Sequence, residues 1–142
     1  MKWAALISWV ATAGGGFVLL AIWLSRGGIR QQREAGNRIR TPQIMSHFVL
    51  AAGGLVVWII YVISNKKTLA WIALAALVVV ALLGFTMLAI WLRRRRGRVA
   101  SAETTTPSTP AEQHFPVPVI VLHGLLAVVT LVLVLLTAAG IG

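Results

Sequence analysis

Four uninterrupted apolar stretches constrain this chain more than any other feature. They comprise Trp3–Leu24, Ile44–Ile63, Leu69–Leu92 and Val117–Ala139, and none of them contains Asp, Glu, Lys or Arg. An apolar stretch of about 20 residues can cross the hydrocarbon core of a bilayer as an α-helix. A transmembrane β-strand needs only about 10 residues of alternating polarity, and these stretches do not alternate. The sequence therefore predicts an all-α membrane protein, a bundle of four transmembrane helices.

The composition excludes a soluble domain of this size. Of the 142 residues, 58% are hydrophobic and only 11% are charged, whereas a soluble domain carries about 25% charged residues. There is no cysteine, which excludes disulfides, thiolate metal sites and cysteine catalysis. The lipid bilayer is therefore the predicted partner of most of the surface.

The net charge of +10 is concentrated between the apolar stretches. The first and third connecting segments carry five arginines each, and the short second segment carries Lys66 and Lys67. The positive-inside rule then places the first and third segments in the cytoplasm and both termini outside, which we expect in a bacterial cytoplasmic membrane. Because the arginines flank spans of membrane length, membrane insertion explains the charge and no nucleic-acid partner is predicted.

Tryptophan is placed towards the ends of the apolar stretches. Indole rings favour the headgroup region of a bilayer. The six tryptophans are Trp3, Trp9, Trp23, Trp58, Trp71 and Trp91, and the sequence predicts interfacial positions for most of them.

The third connecting segment changes character after its arginines. Residues 101–112 read SAETTTPSTPAE, which are rich in Thr, Ser and Pro and show no apolar periodicity. Such a composition is typical of a tether. We therefore predict a flexible cytoplasmic loop over residues 98–113.

The first and third apolar stretches share a sequence. Residues 16–27 read GFVLLAIWLSRG and residues 84–95 read GFTMLAIWLRRR, with eight of twelve positions identical. Gly16 and Gly84 open the two copies. Apolar helices resemble one another by chance, but a shared GFxxLAIWLxR is more than composition explains, and it indicates an internal repeat.

The second and fourth stretches also align. Pro42 and His47 are separated by the same number of residues as Pro118 and His123, with an isoleucine shared between them. The sequence therefore predicts two tandem-duplicated helical hairpins. Residues 1–64 form the first (spans 3–24 and 44–63), and residues 65–142 form the second (spans 69–92 and 117–139). Both hairpins enter from the same side, so their pseudo-two-fold axis lies along the membrane normal.

His47 and His123 are the only ionisable side chains well inside the predicted spans. An ionisable residue within a membrane marks a functional site by default. The repeat places the two histidines at equal depth, and the pseudo-two-fold axis lets them face each other across the bundle. This arrangement suits the two axial ligands of one haem b, with the haem iron as the metal.

The residues around the histidines are compatible with a flat ligand. Small residues lie four and seven positions after each histidine, on the same helix face: Ala51, Gly54, Ala127 and Thr130. Arg38, Arg40 and Arg98 lie towards the cytoplasmic ends of the spans, where they can pair with haem propionates.

Other interpretations of the histidine pair remain open. The two imidazoles can serve helix packing through hydrogen bonds, and small residues on a helix face are also what ordinary membrane helix packing uses. A zinc or copper site needs further protein ligands, which only His114 could supply. A quinone site is a further alternative.

The sequence contains no motif for hydrolysis or phosphoryl transfer, so an enzymatic function is not predicted. A pump or secondary transporter normally carries Asp or Glu in its spans, and these spans have none.

Two functions remain. One is a small haem protein that exchanges electrons at the inner face, and the other is a non-catalytic accessory or assembly subunit without a cofactor. Other membrane subunits or a second copy of the chain are the protein partners that these functions imply.

Overall fold

The fold is a bundle of four long helices. The computed structural model describes residues 1–30, 40–100 and 111–141. Its elements are α1 (Lys2–Ser25), α2 (Thr41–Ser64), α3 (Lys67–Ala100), a short 3₁₀ helix (Ala111–His114) and α4 (Val117–Ala139). Each predicted span lies within one of the long helices, and all four are long and apolar enough to cross a membrane. The prediction of an all-α, four-helix membrane bundle is confirmed.

Local chemistry accounts for the ends of α2 and α4. Both helices begin with proline in the first turn, where its missing N–H has no helical partner to lose. Both end at a left-handed residue, Asn65 with φ 54° and Gly140 with φ 80°. Asparagine and glycine tolerate this conformation best, so both positions are natural helix stops.

The helices leave most of their apolar surface uncovered by protein. Between 11% and 22% of each span is buried inside the bundle. Large side chains such as Ile7, Ile63 and Leu125 are more than 60% exposed. A soluble monomer does not present apolar surface on this scale. In a bilayer, the hydrocarbon chains of the lipids cover this surface.

The helices pack mainly as two pairs. α1 packs most extensively on α4, and α2 on α3, while α3–α4 and α1–α2 contacts close the ring. α2 and α4 are therefore diagonal neighbours. The principal partner of each of α1 and α2 belongs to the other predicted hairpin. Residues 1–64 and 65–142 therefore pack against each other more extensively than the two helices within either hairpin do. The duplication itself remains a prediction.

The hydrophobic core lies in the half of the bundle where α1 and α3 begin. Trp9 and Trp58 form its centre, with ring centroids 6.3 Å apart. Gly54 admits the Trp9 ring, since a methyl group added at Gly54 would lie 3.1 Å from it. The core cluster as a whole consists of Ala5, Trp9, Trp58, Val62, Ala70, Ala73, Leu74, Leu77, Val134 and Ala138.

The interfacial depth expected for most tryptophans stays a prediction, but four of the six are buried against protein. Trp9, Trp23, Trp58 and Trp91 are at most 5% exposed. The Trp23 ring lies under the backbone of Gly28, and Trp91 Nε1 donates to the carbonyl of Glu112 at 3.1 Å. Indoles with such partners gain more from protein packing than from the headgroup region.

The predicted flexible loop over 98–113 has helix at both of its ends. α3 continues to Ala100, and the 3₁₀ helix packs against α1 and α3. Glu112 is 2% exposed, with Oε1 3.9 Å from Arg94. Residues 101–110 lie outside the described part of the chain.

The Gly54 contact generates a test of the fold. Gly54→Leu places a large side chain against Trp9, so we expect it to lower the free energy of unfolding by about 1–3 kcal/mol through overpacking. Denaturant titration in detergent measures this. The matched control is Gly53→Leu, because no atom lies within 4 Å of a methyl group at exposed Gly53. Equal losses for both variants would contradict the assigned contact.

Candidate functional site

The structure brings His47 of α2 and His123 of α4 together across the diagonal of the bundle. Their ring centroids lie 6.4 Å apart, with an angle of 60° between the ring planes. Both side chains are partly buried. The pair lies in the half of the bundle where α1 and α3 end, and the core cluster does not extend to it.

Each imidazole is held by a backbone carbonyl of the neighbouring helix. His47 Nδ1 lies 3.0 Å from the carbonyl oxygen of Val80 on α3. His123 Nδ1 lies 2.9 Å from the carbonyl oxygen of Thr12 on α1. Thr12 and Val80 are 68 residues apart, the same offset that aligns Gly16 with Gly84. The two histidines therefore have equivalent partners with respect to the sequence repeat.

Glycines allow the imidazoles to approach the neighbouring helices. A methyl group added at Gly16 would lie 3.2 Å from Cε1 of His123, and one added at Gly84 would lie 3.3 Å from Cε1 of His47. Gly15 is also in contact with His123, at 3.5 Å from a methyl group to Nδ1. Any larger residue at these positions would occupy space that the rings now fill.

These contacts fix the tautomer of both rings. A backbone carbonyl can only accept a hydrogen bond, so the hydrogen must be on Nδ1 of each histidine. In the neutral imidazole, Nε2 then carries the lone pair. Two Nε2 atoms that can only accept cannot bond to each other. The pair thus offers two lone pairs to a donor or to a metal ion.

The residues predicted to flank the histidines fall into two groups. Ala51 and Ala127, one turn beyond the histidines, are partly buried. Gly54 and Thr130, two turns beyond, are engaged elsewhere. Gly54 packs against Trp9, and Thr130 belongs to a hydrogen-bonded contact between α1 and α4. Only the alanines remain next to the pair.

The Thr130 contact is a cluster of three hydroxyl groups. Thr130 Oγ1 lies 2.8 Å from Ser8 Oγ and 3.1 Å from Thr12 Oγ1. Thr130 donates to the carbonyl of Leu126, and Thr12 to that of Ser8. Because these hydroxyl hydrogens go to carbonyls of their own helices, the cluster holds α1 on α4 and does not form a continuous proton path.

The charged groups predicted near the pair are only partly described. Arg40 is the N-cap residue of α2, seven residues and about 10 Å before His47 along the helix. Arg38 and the side chain of Arg98 lie outside the described residues. His114 belongs to the 3₁₀ helix and is exposed. Within residues 1–30, 40–100 and 111–141, no group of three His, Asp or Glu is placed to hold a metal ion.

Sequence reasoning did not identify the groups that contact the imidazoles: Thr12, Gly15, Gly16, Val80 and Gly84. The signal that could have found the glycines is the repeat itself, since both copies of GFxxLAIWL open with glycine. The carbonyl partners carry no such signal, because any residue supplies a carbonyl.

Comparisons of the chain with protein-family models, with curated proteins and with solved structures find no match. Function is therefore inferred from the geometry of the histidine pair.

The tautomer can be measured directly. We expect the ¹⁵N spectra of histidine-labelled protein in nanodiscs to show Nδ1 protonated in both His47 and His123, because each Nδ1 donates to a carbonyl. His114, which is exposed, serves as the control with no fixed tautomer. A bare Nδ1 in either buried ring would contradict the hydrogen bonds described above.

Proposed function

We propose that this protein binds one haem b, with His47 and His123 as the axial ligands, and transfers electrons within the membrane. The observation that carries the proposal is the pair of Nε2 lone pairs, made available because both Nδ1 atoms donate to carbonyls. Metal-bound histidines almost always donate their second ring N–H in this way, which orients the ring and raises its basicity.

The spacing of the rings supports a shared metal ion. A histidine nitrogen binds a metal ion at about 2 Å. Two imidazoles on opposite sides of one ion therefore have centroids roughly 6 Å apart, and the observed separation is 6.4 Å. Rings stacked directly on each other would be closer. The pair is thus already spaced for bis-imidazole coordination.

The number of protein ligands favours haem over a bare ion. Two imidazoles leave a zinc or copper ion short of the ligands of a closed site. The described part of the chain offers no third His, Asp or Glu next to the pair. A porphyrin brings four nitrogens of its own, so two histidines complete the coordination of its iron.

The half of the bundle that holds the histidines suits a flat apolar ring. The small residues near the histidines, Gly15, Gly16 and Gly84, let the two imidazoles pack closely on α1 and α3. Trp9 and Trp58 lie in the other half, whereas Trp23 and Trp91 are buried near the ends of α1 and α3, beyond the histidines. Arg40, at the N-terminus of α2, is close enough along the helix to pair with a propionate.

The residues of this chain then have defined roles. His47 and His123 hold the iron, and the carbonyls of Thr12 and Val80 keep both rings in the ligating tautomer. The apolar helices exclude water, and bound haem supplies a one-electron carrier. Because the pair lies towards the arginine-rich ends of the helices, which the positive-inside rule assigns to the cytoplasm, the electron partner is expected on that side.

A non-catalytic accessory subunit is the second candidate function. One observation favours it: each imidazole already has a hydrogen-bond partner on a neighbouring helix. Such a pair can serve helix packing alone. The presence or absence of haem separates the two functions.

The test is a reduced-minus-oxidised optical spectrum of protein purified in detergent after expression with ample haem precursor. We expect sharp α and Soret bands, which are lost in His47→Ala and in His123→Ala because each removes one axial ligand. His114→Ala is the matched control and should keep both bands. The absence of both bands from the unmodified protein would contradict the haem proposal and favour the accessory role.

The glycines give an independent prediction. Gly16→Val and Gly84→Val should displace the imidazoles from their carbonyls and weaken haem binding by about tenfold or more, as losses around metal ligands do. Haem titration monitored at the Soret band measures this. Gly14→Val is the control, because a methyl group at Gly14 has no neighbour within 4 Å. Similar affinities for all three variants would contradict the role assigned to Gly16 and Gly84.

A further inference from the structure

A polar cleft lies at the end of the bundle opposite the arginine-rich segments. Its volume is about 370 Å³, and it lies where α1 and α3 begin and where α2 and α4 end. The side chains and backbone that line it include Lys2, Tyr61, Asn65, Lys67, Thr137 and Gly140. None of these residues takes part in the histidine site.

Lys2 builds one wall of the cleft. Its Nζ donates to the carbonyl of Val62 at 3.1 Å and to Oδ1 of Asn65 at 2.6 Å. Its own carbonyl accepts a hydrogen bond from Trp58 Nε1 at 3.3 Å. Lys2 therefore caps the C-terminus of α2, and its ammonium group is fixed in position.

Lys67 approaches the cleft from the opposite wall. Its Nζ would lie 3.3 Å from a methyl group added at Gly140, the residue that ends α4. Lys67 is exposed, and no hydrogen bond to its Nζ is found in the described part of the chain. Of the two lysines that line the cleft, Lys67 is thus the one whose ammonium group remains available to a ligand.

The cleft favours an anion with several oxygen atoms. Among the described residues that line it none is acidic, and the one acid described, Glu112, lies at the other end of the bundle. Two lysine ammonium groups supply charge, and the hydroxyl group of Tyr61 supplies an additional donor, whereas the Thr137 hydroxyl donates to the carbonyl of Leu133. Phosphate oxygens accept this combination of donors well.

Two exposed tryptophans place the cleft at headgroup depth. Trp3 near the start of α1 is 61% exposed, and Trp71 near the start of α3 is 49% exposed. They are 68 residues apart, so they are equivalent under the sequence repeat. Exposed indoles at a helix end mark the membrane–water interface. The phosphate groups of lipids lie at this level, next to the cleft.

From these observations we propose that the cleft binds the phosphate of an anionic phospholipid, with Lys67 as the principal contact. The acyl chains then lie along the exposed apolar faces of the helices. The positive-inside rule makes this the outer leaflet. The proposal does not depend on the haem site, because no residue is shared.

The proposal is tested by native mass spectrometry of the full chain. The protein is released from detergent in the presence of lipids with matched acyl chains. We expect retention of phosphatidylglycerol over phosphatidylcholine, and about tenfold weaker retention in Lys67→Gln, which removes a charge-assisted contact. Lys66→Gln is the matched control: it removes the same charge from the neighbouring exposed residue, which does not line the cleft. Tyr61→Phe, which keeps the ring, should cause a smaller loss.

Three results would overturn the proposal. The first is equal retention of the two lipids by the unmodified protein. The second is the same loss in Lys66→Gln as in Lys67→Gln, which would indicate general attraction by surface charge. The third is displacement of phosphatidylglycerol by millimolar inorganic phosphate, which would assign the cleft to a free anion. Circular dichroism of each variant confirms that the helices are intact.

Discussion

The hydrogen bonds between the two imidazoles and the carbonyls of Thr12 and Val80 are the constraint around which the half of the bundle that holds the histidines is organised. No water is available inside a bilayer to satisfy a polar ring, so its partner must come from the protein. A helix carbonyl can serve as partner only if the adjacent surface is small enough for the ring to approach. Gly16 and Gly84 meet that requirement, and the position of the pair follows from them.

Away from the histidines, the two helix pairs differ at equivalent positions. Between α1 and α4, the Ser8 hydroxyl donates to Thr130 Oγ1, and the Thr12 hydroxyl lies 3.1 Å from the same oxygen. The corresponding contact between α2 and α3 consists of Gly54 close to Ala76, with the ring of Trp9 inserted beside them. One interface is thus polar and the other is filled by an aromatic ring. The two histidines therefore occupy equivalent positions in the repeat but have different surroundings.

The sequence predicted the helices well and the interior poorly, for a physical reason. Length and the absence of charge define a transmembrane helix, so the span ends were predictable to within three residues, except that α3 continues from the predicted end at Leu92 to Ala100. Helices that are apolar on all sides carry no periodic signal for which face is buried. The burial of Trp23 and Trp91 and the packing of α1 on α4 were therefore beyond its reach. The histidine pair was predictable because an ionisable group stands out in an apolar helix, and because the repeat set its depth.

The pairing of α1 with α4 has a consequence for how the protein is made. The chain is synthesised from its N-terminus, so α1 enters the membrane before α4 exists. Ser8 and Thr12 therefore lack the contact with the Thr130 hydroxyl that they make in the complete bundle. Until then the nascent chain exposes polar groups to lipid or to the insertion machinery. Assembly is therefore completed by its last helix, and a chain that stops before α4 leaves its first helix without its main partner.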